Sequence, residues 1–241
     1  MNLAAVRLGG NMCYSTMTEK AKNLHDLLFT KKFHAEKLID QLESDDYTAE
    51  DVNIAAFKYV EDCIHILDYD EYEKYGFGED IPGIESSHML EAIRILLNYG
   101  LDPNMVIDGY ENIMSILRFI FNGYQSADAM ALMFEHGGNP SILINGESLI
   151  RELNTDINWF LGDVDERYVG DAYMHYWMVF IGYGAKLEDG RDCIDPCGDF
   201  DPSEFKNHRQ YYFGFIHSDR SDDHWELCFF DKRTNWEVAR Y

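Results

Sequence analysis

A mainly α-helical solenoid of about four antiparallel helical hairpins, closed by a C-terminal three-stranded antiparallel β-meander, is the fold class this sequence predicts. Three observations carry the expectation: a 37-residue internal repeat, apolar helix-length segments that come in pairs, and an aromatic, strand-like stretch after residue 208. The expected organisation is residues 1–192 for the helical hairpins and 193–241 for a cap packed on them, because a terminal unit must cover an otherwise exposed apolar end.

The repeat is read from two segments, IRILLNYGLDPNMVIDGYENI from Ile93 and MALMFEHGGNPSILINGESLI from Met130. A shift of 37 residues pairs Leu96 with Met133, Gly100 with Gly137, Pro103 with Pro140, Ile107 with Ile144, Asp108 with Asn145, Gly109 with Gly146 and Ile113 with Ile150. Each unit makes mechanical sense. An apolar helix meets a glycine suited to a left-handed C-terminal turn, a proline forbids continuation, and a short extended piece turns at a second glycine.

Further helices follow from caps and periodicity. Thr18 to Phe29 pairs with His34 to Leu42, and Thr48 to Leu67, with Thr48 as N-cap and Asp51 three residues on, pairs with Ser87 to Tyr99. Asn112 to Phe121 is followed by a helix for which Ser126 is the expected N-cap, and Ser148 to Gly162 pairs with Asp171 to Gly184. Gly184-Ala185 takes the place of the earlier terminal glycines. Between Asp68 and Ser86 an acidic, tyrosine-rich insertion is expected to be an exposed loop. Arg209 to Ser218, His224 to Asp231 and Trp236 to Tyr241 read as the three strands.

The motifs YGLDPN and HGGNPS, with Asp108-Gly109 and Asn145-Gly146 opening the next helix, resemble the GADPN and D-G-x-T-P-L-H elements of ankyrin repeats. Glu111, Asn112, Ile113 and Met114 stand where Thr-Pro-Leu-His would be, and the period exceeds the usual ~33. The resemblance implies an ankyrin-like stack whose turn tips and inner helix faces form one extended surface for a protein partner. The candidate partner-binding residues are then Asp102, Asn104, Asp108, Tyr110 and Glu111 on one finger turn and Asn139, Asn145 and Glu147 on the next. Tyr110 is the expected hot spot, since an aromatic offers large contact area at small entropic cost.

Composition narrows the partner. The 20 basic against 44 acidic side chains give a net charge of −24, which repels nucleic-acid phosphates. Residues 43 to 80 alone hold 13 acids against Lys58 and Lys74, a solvated surface or a docking face for a basic protein. Small acidic repeat proteins of this kind resemble bacterial immunity proteins, in which negative charge steers binding to a basic toxin domain; a generic adaptor is the alternative. A cytoplasmic protein is expected, because Arg7, Gly9 and Gly10 interrupt the apolar start and the longest uncharged stretch, residues 172–185, is 14 long against the ~20 a bilayer needs.

No cofactor and no catalytic role are expected: phosphate-binding glycine loops, H-E-x-x-H and G-x-S-x-G are absent from the sequence. Cys193 and Cys197 in CIDPC, with His208 downstream, are the residues on which a metal-dependent hydrolase would have to be built. Their spacing completes no recognised tetrahedral set, so no metal ligand is assigned. His175, on an apolar helix, reads as a hydrogen-bonded core histidine.

Overall fold

Two threonines set the start of the first helical bundle. Thr18 caps α1 (Glu19–Leu28), its hydroxyl accepting from the Ala21 amide at 3.0 Å. Thr48 and Asp51 form a reciprocal capping box at the head of α3 (Ala49–Ile66): Thr48 Oγ1 accepts from the Asp51 amide and Asp51 Oδ2 from the Thr48 amide, both at 3.1 Å. The Thr18 hydroxyl also donates to Asp51 Oδ1 at 2.6 Å, so one carboxylate ties two helix starts together. Burial pushes the Asp51 carboxyl up, but the hydrogen bonds from Thr18 and Thr48 outweigh it and hold it below the usual range.

The computed structural model describes residues 17–30, 32–44, 46–66, 86–107, 111–114, 125–144, 146–151, 171–187, 190–217 and 225–241. They fall into two compact units, Met1–Ile120 and Phe121–Tyr241. The expected acidic insertion lies outside the described residues.

In the first unit α1 packs on α2 (Ala35–Ser44) and on α3, while α4 (Ser86–Asn98) lies against α2 and α3. The core is Leu24, Leu28, Leu38, Val52, Ala56, Tyr59, Val60, Met89, Ile93 and Leu96, all essentially inaccessible to solvent. These positions recur at helical spacing, which is why the apolar stripes were readable in the sequence. The unit continues into a two-strand finger, β1 (Val106–Ile107) with β2 (Glu111–Asn112), and helical backbone resumes at Ile113.

The second unit repeats the step from helix to finger and adds a sheet. It contains α5 (Gln125–Glu135), a second finger of β3 (Leu143–Ile144) and β4 (Glu147–Ser148), helical backbone from Leu149, and α6 (Asp171–Gly182). Because α5 already includes Gln125, Ser126 sits inside the first turn and is not the N-cap the sequence suggested.

After α6 the chain runs through β5 (Asp195–Pro196) and a 3-10 helix, Pro202–Gln210, into β6 (Tyr211–His217), β7 (Trp225–Asp231) and β8 (Glu237–Arg240). The sheet has four antiparallel strands in the order β5-β8-β7-β6, one more than the expected meander. The extra strand is two residues at the edge of the sheet beside β8, a position where the missing amide of Pro196 removes no ladder bond. Face-sharing pairs Phe213–Phe229, Phe215–Leu227 and Phe229–Ala239 fix the register. Phe229 stacks on Trp177 of α6 with ring centroids 5.4 Å apart, which seats the sheet on the helix.

Candidate functional site

The finger turns carry the sequence-predicted contacts, and their geometry is built by the helix ends behind them. At the end of α4 the Leu101 amide reaches back to the Leu96 carbonyl at 2.9 Å, with Gly100 at φ +105°. At the end of α5 the Gly138 amide reaches Met133 O at 2.9 Å, with Gly137 at φ +91°. After α6 the Ala185 amide reaches Phe180 O at 3.0 Å, with Gly184 at φ +87°. The same six-residue helix stop is therefore made three times, with glycine in the left-handed position each time.

The likeness continues beyond the stop. Asp102 Oδ1 accepts from the Asn104 amide at 2.8 Å, and Asn139 Oδ1 accepts from the Ser141 amide at 3.0 Å. The following turns close alike, Met105 N to Asp102 O at 3.2 Å and Ile142 N to Asn139 O at 3.1 Å. The offset then slips by one. Val106 pairs with Asn112 and Leu143 with Ser148, so the first finger loop is one residue longer and the helix after it starts 36, not 37, residues before its counterpart.

Asn112 and Ser148 occupy the same place, and each starts the helix that follows. Asn112 is fully buried; its Nδ2 donates to the Pro103 and Met105 carbonyls at 3.0 and 2.7 Å, and its Oδ1 accepts from the Met114 amide at 2.8 Å. Ser148, 2% exposed, accepts from the Arg151 amide at 3.3 Å. In both fingers a buried polar side chain starts the next helix.

Of the eight predicted contact residues, Asp102, Asn139 and Glu147 are exposed and Asn104 is half-buried. Glu111 contributes its backbone to β2, and Asp108, Tyr110 and Asn145 lie outside the described residues. The side-chain oxygens of Asp102 and Asn139 already hold their own turns, so part of their chemistry is structural. Glu147 lies 3.6 Å from Arg151 across an exposed helix start, a contact of small energetic weight.

Sequence reasoning overlooked two residues. Val106 and Leu143, equivalent in the two fingers, are 39% and 57% exposed, among the large apolar side chains most open to solvent. A signal was present: Val106-Ile107 and Leu143-Ile144 are consecutive apolar pairs in extended chain, and alternation sends neighbours to opposite faces.

The residues of the hydrolase reading are not gathered into one ligand set. Buried Cys193 directs its sulfur to Ala185 O at 3.8 Å, Cys197 to Glu237 Oε1 at 3.5 Å, and His208 engages His175 and Asp128. Among the described residues no group of three or more His, Cys, Asp or Glu is arranged to hold a metal ion. Burial, reinforced by Glu237, raises the Cys197 thiol, and burial lifts Cys228 to about 11, so neither is a ready thiolate. None of the four described cysteines forms a disulfide.

A partly buried ionic cluster in the first unit joins α1 to α3. His25 Nε2 lies 2.9 Å from Asp62 Oδ2, Lys58 bonds Asp62, and Lys58 Nζ is 3.2 Å from Glu61 Oε2. Burial opposes charge on Asp62 and Lys58, yet the hydrogen bonds from His25 and Lys58 lower the Asp62 carboxyl, and Asp62 with Glu61 raises the Lys58 ammonium.

No protein-family model matches the chain, and no curated protein or solved structure matches it either. None of the described helices is long and apolar enough to cross a membrane.

The helix stops are testable. Gly137→Val is expected to lower stability by about 1 kcal/mol or more, purely from backbone strain, since a Cβ there meets nothing within 4 Å. Gly100→Val is expected to cost a similar amount, because its nearest neighbour would be Ala49 Cβ at 3.4 Å. Chemical denaturation measures both; unchanged midpoints would remove the left-handed stop from the repeat.

Proposed function

We propose that this chain is a protein-binding module that grips its partner with the finger turns of an ankyrin-like repeat, and that the partner presents a basic surface, as a toxin domain does to its immunity protein. The observation that supports the reading is the exposure of Val106 and Leu143 at equivalent places in two fingers of like construction. Repeated apolar side chains held out to water on short hairpins serve no core, and a partner that covers them gains their burial. Exposed Asp102, before the first finger, and exposed Glu147, in the second, in a chain of net charge −24, favour a positively charged counterpart through steering and register.

The test compares the wild type with Val106→Asp and Leu143→Asp as immobilised baits for proteins of the source cell. A basic partner is expected, bound about tenfold more weakly by each variant while melting stays unchanged. Its association with the wild type should slow steeply as salt rises, since screening shortens the reach of exposed charges to about 8 Å near 0.15 M. An acidic partner, or one indifferent to both substitutions, overturns the reading.

A further inference from the structure

Three elements of the second unit meet at a pair of buried imidazoles. His175, on α6, is fully buried, and His208, near the end of the 3-10 helix, is 4% exposed. Their Nδ1 atoms are 3.1 Å apart, with ring centroids separated by 5.1 Å. His208 Nε2 lies 3.3 Å from Asp128 Oδ1 in the first turn of α5, and Arg209 bonds the other oxygen of that carboxylate. The chain of contacts is thus His175, His208, Asp128, Arg209.

Donor counting fixes the protons. A carboxylate only accepts, so His208 Nε2 carries a hydrogen toward Asp128. Neutral His208 then offers a lone pair at Nδ1, and His175 must donate to it from its own Nδ1. A first added proton is accommodated: His208 becomes an imidazolium facing Asp128, and His175 moves its hydrogen to Nε2 so that its Nδ1 accepts. A second is not, because it would place two N–H donors and two positive charges face to face. We propose that the His175–His208 pair is an acid-sensitive latch, which holds the 3-10 helix Pro202–Gln210 on α6 while the pair carries at most one added proton and releases it when the second arrives.

The surroundings fit a latch. Burial pushes the Asp128 carboxyl up, but the hydrogen bonds from His208 and Arg209 outweigh it and keep it ionised through the range in which histidines titrate. Charged groups on the same 3-10 helix and on β7 have partners of their own: Glu204 accepts from the Tyr211 hydroxyl at 3.2 Å, Lys206 sits 4.7 Å over the Tyr183 ring, and Asp231 is forked by Arg233. Release would uncover Phe205, which the 3-10 helix now buries completely.

The sign follows from linkage. Below about pH 6.5 both histidines of an opened chain take up a proton, whereas the closed pair takes one, so the closed state loses about tenfold in population for each further pH unit. Hydrogen exchange of residues 203–210 and the last turns of α6, corrected for the intrinsic rate, should show about tenfold more opening at pH 5.0 than at pH 6.5. His175→Asn places an amide where Nδ1 stood and cannot take the second proton, so its opening should change less than threefold over the same range. If that variant does not fold, long-range 1H–15N spectra of the wild type at pH 7.5 decide, with His175 expected as the Nδ1–H and His208 as the Nε2–H tautomer.

Equal pH dependence in wild type and variant, or the opposite tautomers, would overturn the latch. So would zinc that raises the melting temperature of the wild type but not of His175→Asn, since the two Nδ1 atoms would then bracket a metal instead of a hydrogen.

Discussion

Trp177→Ala is expected to cost about 3–5 kcal/mol, a large share of the 5–15 kcal/mol that holds a typical domain folded. Trp177 is fully buried; it stacks on Phe229 at an interplanar angle of 13° and meets Tyr241 edge-on with centroids 5.4 Å apart. Removing the indole leaves a cavity between α6 and the sheet that neither wall can fill, because Phe229 is held in register on both sides by β6 and β8. The check is a denaturation midpoint together with the near-ultraviolet dichroism of the aromatic cluster. A loss below about 1 kcal/mol would mean that the sheet is not seated on α6 as described.

Gly182→Ala is expected to destabilise by about 3 kcal/mol, and here two effects of opposite sign compete. Alanine improves helix propensity by up to about 1 kcal/mol at an interior position, and less at the last residue of α6. Against this, a Cβ at Gly182 would lie 2.6 Å from Lys206 N and 2.8 Å from Phe205 C, backbone atoms of the 3-10 helix that no rotamer change can move. Phe205 is itself fully buried against Tyr211 and Phe229, so the 3-10 helix cannot back away without disturbing the core. The clash wins. A higher melting temperature for the variant would show that the two elements do not approach this closely.

Much of the helical plan was legible because local chemistry announces it. Thr48 with Asp51, and the glycines at 100, 137 and 184, mark helix ends through capping and left-handed backbone, effects that need no distant partner. The three longer strands were legible for a similar reason, since aromatic alternation over seven residues in β6 and β7 has few other uses. β5 was not, because two residues carry no period. The 3-10 helix left a trace that went unread: Asp201 accepts from the Ser203 amide at 2.9 Å just before Pro202, the usual order for a helix start.

The clusters that join elements were out of reach for a different reason. Asp128 and His208 are 80 residues apart and His25 and Asp62 are 37 apart, and in a chain with 44 acids no spacing rule selects those pairs. Asn112 was equally opaque. It looks like a loop residue in the sequence, and only three hydrogen bonds made from a fully buried position reveal that it starts the next helix.

The one-residue difference between the finger loops has a consequence for how such a chain can change. Each hairpin has only two paired positions per strand, and the side chains that hold the turn before it and the helix start after it, Asp102 or Asn139 and Asn112 or Ser148, lie outside the loop itself. Insertions and deletions at the tip are therefore absorbed before they reach a helix, as the slip from 37 to 36 already demonstrates. Tip length and sequence are thus free to vary while the scaffold stays fixed, and fingers exchanged between such chains at those four anchor positions should transplant as intact cassettes.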